Sequence, residues 1–408
     1  MSAGGRRGVL RKPSFIGLLL TNFVLGLTSA FIVPFGSIWA TKEIGMSSRG
    51  VGAFMTINSL SAIVISMTLA RWSDTHVSRR RLLVLGASAG AVGNLAFAYV
   101  KDPIFLTLIG SSVLAVASIN FAQLFAHVRE ELGRAEHAGT DVPFVMGVLR
   151  ACFALAWMLG PLLGAEIVRH FGYRGIFLAA SAAFVLFLVL VFGFVVERAH
   201  GPRASAPSPA RGEREPALWG LGQPRVLAHA AAFALMFAAF TINSLNLPLF
   251  LTEKLGGTEQ GVGIAFSISP LFEMAFMLLF GHLAAKGHQL TIIRLGISAA
   301  VLYFLALRFV TAPTHVYPLQ ILNAAAVAVT TSVAIPFFQD LMPGKAGFAT
   351  SLYSSALKVG SLLGFAAFGL LASQVGNSGL FWVCAALGAT TLSIVLLARP
   401  AVRSPRSA

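Results

Sequence analysis

The stretch GIFLAASAAFVLFLVLVFGFVV, Gly175 to Val196, runs 22 residues without a charged side chain. A bilayer core takes about 20 mostly apolar residues in helical form. A soluble helix must show water one polar face, and this stretch has none to show. It reads as a membrane-spanning helix. Apolar runs of similar length fall near 14–40, 48–70, 82–100, 103–127, 143–168 and 175–196. A second set falls near 225–251, 258–284, 291–311, 315–338, 346–372 and 378–398. The expected fold class is an all-α membrane protein: twelve transmembrane helices in two six-helix, pseudo-symmetric bundles. The bundles are residues 1–196 and 225–408. Between them 197–224, rich in Pro, Ser and charge, cannot bury a core and reads as a flexible cytoplasmic linker.

Composition agrees. The 408 residues are 56 % apolar and 11 % charged, with a mean hydropathy of +0.80. A soluble domain carries about 25 % charge, so this chain cannot cover itself with polar surface. The formal charge of +15 first suggests nucleic acid. The basic residues, however, lie in short clusters between apolar runs, which is the pattern of positively charged cytoplasmic loops. No nucleic-acid partner is therefore expected. Cys152 and Cys384 lie inside apolar runs and give neither a disulfide framework nor a metal motif. The basic N-terminus, with Arg6, Arg7, Arg11 and Lys12, resembles a signal peptide. The following run, Phe15 to Thr41, is too long for one and is read as a retained first span.

Orientation follows from Lys and Arg. With the N-terminus inside, inner segments collect Arg71, Arg79, Arg80, Arg81, Arg129, Arg134, Lys286, Lys345 and Arg399 among others. Outer segments hold Lys42, Arg49, Lys101, Arg169, Arg174 and Lys254, a ratio of about three to one. Both termini are expected in the cytoplasm, and the number of spans is even. An internal repeat is also visible. Arg49 to Phe54 opens the second span and Gln260 to Phe266 the eighth, each with a Gly-Val-Gly core. Each follows a span interrupted by proline, Pro34 or Pro248, and a short polar turn. Two six-helix halves joined by a linker is the layout of parallel-repeat transporters.

Arg71 to Arg81, RWSDTHVSRRR, joins the second and third spans. It resembles the loop motif of the major facilitator superfamily, with Asp74 and Arg79 at the acid and base positions. Ala70 and Val77 stand where that motif has glycine, and the matching second-half loop has Ala285 where the acid would be. The resemblance implies a cytoplasmic gate; the plainer reading is a positive-inside anchor. Further segments resemble bacterial sugar efflux transporters: Asn120 to Glu130, Leu149-Arg150-Ala151 before Trp157 to Pro161, Asn246 to Phe250, and Phe338 to Gly344. The similarity implies proton-driven export of sugars or glycosides. It implies Asp74, Arg79, Arg129 and Asp340 as gating residues. It also implies that the first, fourth, seventh and tenth spans line a central cavity.

Polar side chains in hydrocarbon are costly and should face a cavity or a partner. The first, fourth, seventh and tenth spans carry Asn22, Asn120, Gln123, His127, Asn243, Asn246, Gln320 and Asn323. Spans five, eight and eleven add Arg150, Glu273 and Lys358, whereas the third, sixth, ninth and twelfth are sparse. Amides offer donors and acceptors together and suit sugar hydroxyls, and Trp157 suits stacking on a pyranose face. The expected substrate-binding set is Asn22, Asn120, Gln123, Arg150, Trp157, Asn243, Asn246, Gln320, Asn323 and Lys358. For each amide the plainer reading is helix–helix contact, worth about 0.6 kcal/mol. A mid-helix cation costs about 2.5–3.5 kcal/mol on insertion scales, so Arg150 and Lys358 need a reason to be there. Glu273, the one acid placed deep in the membrane, suggests a charge network with both and is the expected proton carrier, with His127 as a second proton-coupling candidate.

The alternative function is a drug exporter of the same superfamily, which Phe31, Phe125 and Phe337 keep open. No nucleophile–base pair, metal spacing or phosphate-binding loop argues for an enzyme or an ATP-driven pump. No cofactor is expected. The expected partners are a sugar or glycoside, protons and the lipid bilayer, with the chain acting as a monomer in a bacterial inner membrane.

Overall fold

The computed structural model describes residues 13–75, 77–132, 142–197 and 223–398; the side chains at 13, 70, 71, 73–75 and 143 also lie outside the described residues. Among those described, the regular structure is helical throughout. Seven helices are long and apolar enough to cross a membrane, or eight when the pair Pro313–Ser332 and Ala334–Leu341, bent by 41°, is taken as one span. Three of the seven, Phe144–Phe194, Glu259–Arg308 and Ala346–Leu397, are 50 to 52 residues long. At 1.5 Å per residue each is about 75 Å, more than twice a hydrocarbon core of about 30 Å. Each breaks at a glycine with positive φ: Gly172 (65°), Gly287 (91°) and Gly376 (68°). These glycines fall where turns between spans are expected.

Short-range chemistry sets the other ends. Asp102 caps the run Pro103–Leu132, accepting from Ile104 N at 2.8 Å and Phe105 N at 3.1 Å, with Pro103 in the first turn. Ser78 caps Arg79–Tyr99 by accepting from Arg81 N at 3.3 Å. Pro34 lies in the turn between Pro13–Ala30 and Gly36–Lys42. Pro248 stays helical but is followed by a wide turn, Phe250–Lys254, that lets the ladder recover. The first and seventh expected spans thus both lose regularity at their proline.

The described chain forms two compact units: 1–201 with 248–271, and 202–247 with 272–408. In the first, Pro13–Ala30 and Arg79–Tyr99 both pack on Val142–Phe194. The core between them includes Phe15, Leu25, Leu83, Leu124, Leu149, Phe184 and Phe187. Toward the far end, Trp39, Phe97 and Phe177 stack and cross edge to face at 4.6–5.6 Å. In the second unit, Gln289–Arg308 packs on Val316–Ser332 and on Ala346–Leu397. Phe233, Phe338 and Tyr353 form an aromatic knot, with Tyr353 Oη donating to Thr330 O.

The units repeat one device. Gly160 lies against Ala30, where a Cβ would collide. A Cβ on Gly364 would meet Thr241 Cβ at 2.6 Å and Ala238 O at 2.7 Å. Aligning Gly172 with Gly376 places Gly160 on Gly364, so each unit seats a long helix on its proline-broken one through the equivalent glycine. Backbones approach this closely only over small residues.

Candidate functional site

In the first unit a polar stripe runs along the helix Ile119–Leu132. Asn120, Gln123 and His127 are buried, and Glu130 follows at the open end. Their spacing of three, four and three keeps them on one face. Arg79 reaches across from the next helix. Its Nη1 donates to Gln123 Oε1 at 2.9 Å; Nε and Nη2 donate to the two Glu130 oxygens at 2.9 and 2.6 Å. This two-pronged geometry is the strong form of an Arg–carboxylate pair. With the side chains 15 % and 44 % exposed, it contributes about 1 kcal/mol or less. Asn120, deeper in, has no hydrogen-bond partner on either amide atom among the described residues, and its carboxamide fills the space a Gly86 Cβ would need (Cγ at 2.8 Å).

The neighbouring arginines bind elsewhere. Arg81 Nε donates to Glu197 Oε1 at 2.8 Å, Ser78 Oγ donates to the same oxygen at 3.1 Å, and Arg80 lies 4.0 Å from Oε2. The Ser78 hydrogen bond first, then Arg81, hold the Glu197 carboxyl below its ordinary pKa. Arg80 also donates to Phe192 O at 3.1 Å and lies over the Phe192 ring. Arg79, expected as a gating base, is thus part of a clamp that ties three helix ends together. Glu130 and Glu197, its acidic members, are partners that sequence reasoning did not assign to it. The i, i+3 spacing of Glu130 from His127 was the available signal.

Asn22 Nδ2 donates to Leu149 O at 2.7 Å, and its Oδ1 has no partner among the described residues. Arg150, one residue on, is exposed, and so is Arg129; neither has a hydrogen bond or ion pair among the described residues. The Trp157 indole Nε1 is buried and has no hydrogen-bond partner among the described residues. The side chain of Asp74 lies outside the described residues. Farther along the same unit, Tyr173 Oη donates to Glu259 at 2.9 Å. Phe121 lies tilted against Phe125 at 4.4 Å and edge-on to Phe153 at 4.9 Å.

In the second unit two of the expected amides converge on Tyr303, which is fully buried, and a third joins through one of them. Asn243 Nδ2 lies 3.3 Å and Gln320 Nε2 3.1 Å from Tyr303 Oη, and Asn323 Nδ2 donates to Gln320 Oε1 at 3.3 Å. Tyr303 belongs to a span read as sparse, and no local pattern marked it as the partner. Asn246 Nδ2 donates to Asn377 O at 2.8 Å. Glu273 accepts from Thr331 Oγ1 at 3.3 Å. The expected charge network is corrected here. Glu273 forms no ion pair with Lys358 among the described residues, and its partner is a hydroxyl on the helix Val316–Ser332. Lys358 and Asp340 are exposed, and neither has a hydrogen bond or ion pair among the described residues. His229, which sequence reasoning did not single out, is fully buried with Nδ1 2.8 Å from Arg225 O and its ring edge-on to Phe337.

The sequence pattern of the Major Facilitator Superfamily matches residues 18–229 and again 228–408. A Deinococcus radiodurans protein, provisionally named a sugar efflux transporter, is 33 % identical over 95 % of this chain and 98 % of its own length. Sugar efflux transporter A of Escherichia coli K12 is 29 % identical over 93 % of this chain and 94 % of its own. Among solved structures, the nucleoside transporter NupG superposes with a TM-score of 0.75 at 14 % identity, covering 95 % of this chain and 98 % of that one. That likeness extends to the fold alone.

Proposed function

The chain belongs to the Major Facilitator Superfamily, and from that membership we propose a secondary transporter that exports sugars or glycosides in exchange for protons by alternating access. It spans a bacterial inner membrane twelve times, with both termini in the cytoplasm: the eight candidate spans, the three long helices counted twice at their glycines, and the shorter Ser14–Ala30 as the first span. The observation that carries the substrate is the near full-length similarity to relatives named sugar efflux transporters. The amides support it. Asn22 and Asn120 keep unpartnered hydrogen-bonding atoms, which suit a polyhydroxylated ligand. Asn243, Asn246 and Gln320 already hold protein partners and shape the second half. Glu273, bonded to a hydroxyl, is the proton carrier of this reading, because a carboxyl not locked to a cation can take up and release a proton as access alternates.

A second reading, drug export, is favoured by the Phe121, Phe125 and Phe153 cluster. One experiment separates the two. Purified protein in liposomes is given an imposed pH gradient with labelled sugars beside a cationic dye. Sugar accumulation against its gradient with no dye movement is the expected result. Dye movement alone would replace sugar export with drug export. Glu273→Gln is expected to retain sugar exchange at zero gradient and lose gradient-driven accumulation; normal accumulation would remove Glu273 from the proton path.

A further inference from the structure

Glu273 and Thr331 both belong to the second unit. Thr331 Oγ1 lies 3.3 Å from Glu273 Oε1, 3.1 Å from Val327 O and 3.2 Å from Ala328 O. A hydroxyl has one hydrogen to give, so these three acceptors compete for it. Among the described residues the Glu273 carboxyl has no other hydrogen bond and no ion pair.

The place of Thr331 in its helix decides which acceptor it serves. It lies at the end of Val316–Ser332, where the chain bends by 41° into Ala334–Leu341. Pro336 has no N–H to return to Ser332 O, so the ladder opens at this point. Thr330 Oγ1 donates back to Val327 O at 2.7 Å and Ser332 Oγ to Ala328 O at 2.6 Å, which bends a helix further. Both backbone carbonyls within reach of Thr331 thus already have nearer donors, and its hydrogen is the one available to the carboxylate.

Successive helical residues turn by about 100°. On Glu259–Leu283, Glu273 lies about 140–180° round from the exposed Ile264, Leu271 and Leu278 and within about 40° of the buried Val262 and Ser269. The carboxyl is turned away from the acyl-facing stripe. The helix that meets it, Val316–Ser332, carries no charged side chain, and its Tyr317 lies about 20 Å along the axis from Thr331. On its own helix the next titratable group toward the C-terminus is His282, more than two turns on. Tyr353 donates to Thr330 O, and Lys358 has no ion pair among the described residues. A hydrogen bond rather than a charge therefore distinguishes the two protonation states of Glu273.

Resting on the reading of Glu273 as proton carrier, we propose that Thr331 is its positioning residue. The hydroxyl donates to the ionised carboxylate. When the carboxyl takes up a proton, Thr331 Oγ1 accepts from it and returns its own hydrogen to Val327 O or Ala328 O. Thr331 loses no proton in the cycle; the bond reverses direction. Because Thr331 stands at the bend, a change in that bend moves the donor and changes how firmly the carrier holds its proton.

The test is accumulation of labelled glucose and lactose by the purified full chain in liposomes, at a fixed pH gradient and varied mean pH. Accumulation is fastest where the carrier is protonated on the acid side and ionised on the alkaline side, so the optimum follows its titration. Thr331→Val removes the donor to the ionised form and is expected to move the optimum up by about half to one pH unit. Thr331→Ser keeps the hydroxyl and is expected to keep the wild-type optimum. Ser332→Ala, at the same bend but bonded only to Ala328 O, is also expected to keep it. Thr331→Ala answers the question where Thr331→Val does not fold. A wild-type optimum in either folded variant would overturn the inference and leave Glu273 as carrier. An equal shift in Ser332→Ala would overturn it too, since the bend alone would then set the optimum. Normal accumulation by Glu273→Gln, or none by the wild type, would remove the carrier reading and this inference with it.

Discussion

The Tyr303 hydroxyl lies at the junction of Asn243 and Gln320, and all three side chains are buried. Deleting it leaves two amides short of a partner where water does not reach, and an unmet buried polar group costs about 1–3 kcal/mol. Tyr303→Phe is therefore expected to destabilise the second unit by about 1–2 kcal/mol, toward the low end because unfolded spans in a membrane also find partners. Thermal unfolding in detergent measures it, and an unchanged midpoint would show that Tyr303 serves only as a filler. Glu197 offers the pH counterpart. Ser78 and Arg81 hold its carboxyl below the ordinary value. A lowered acid contributes stability that is present above its unfolded pKa, near 4.5, and is lost as pH falls through the folded value. Acidification is expected to lower the unfolding midpoint of the wild type more steeply than that of Glu197→Gln; parallel curves would mean the clamp holds nothing.

The long helices make their prediction at the scale of elements. Gly172 at φ 65°, ψ −173° and Gly376 at φ 68°, ψ 172° occupy backbone space that is nearly closed to other residues. Gly172→Ala and Gly376→Ala are each expected to cost about 1–3 kcal/mol. Gly193→Ala is the control: it lies in the same helix with nothing within 4 Å of an added Cβ, and helix propensity favours alanine there by about 1 kcal/mol. Equal midpoints for Gly172→Ala and Gly193→Ala would show that the break at Gly172 carries no strain. These breaks also show how much could be read beforehand. The turns near 168–175 and 372–378 were legible because apolar runs have a maximum useful length, and Pro34 and Pro248 were legible because proline removes a donor. The partner of each amide was not. Asn243 and Asn22 look alike in sequence, yet one is spent on Tyr303, 60 residues away, and the other on Leu149 O. Periodicity reports which face a residue occupies; it does not report what the opposing helix presents. The absence of a Glu273 ion pair with Lys358 was hidden for the same reason.

At the scale of the whole molecule, the charge pattern and the span count constrain each other. Lys101 and Lys254 belong to outer segments and Lys286 and Lys345 to inner ones only if an even number of crossings precedes each inner segment. Dropping the crossing between Lys254 and Lys286 would put those two residues on one side and exchange the sides of everything after it. Single cysteines test this directly in a background of Cys152→Ala and Cys384→Ala, whose thiols make only weak contacts to Leu19 O at 3.3 Å and Ala239 O at 3.5 Å. Lys101→Cys and Lys254→Cys are expected to react with an impermeant maleimide in right-side-out vesicles. Lys286→Cys and Lys345→Cys are expected to react only after permeabilisation. Labelling of Lys254→Cys and Lys286→Cys from the same side would mean that Glu259–Leu283 does not cross, and the two-half transporter would lose its symmetry at its eighth span.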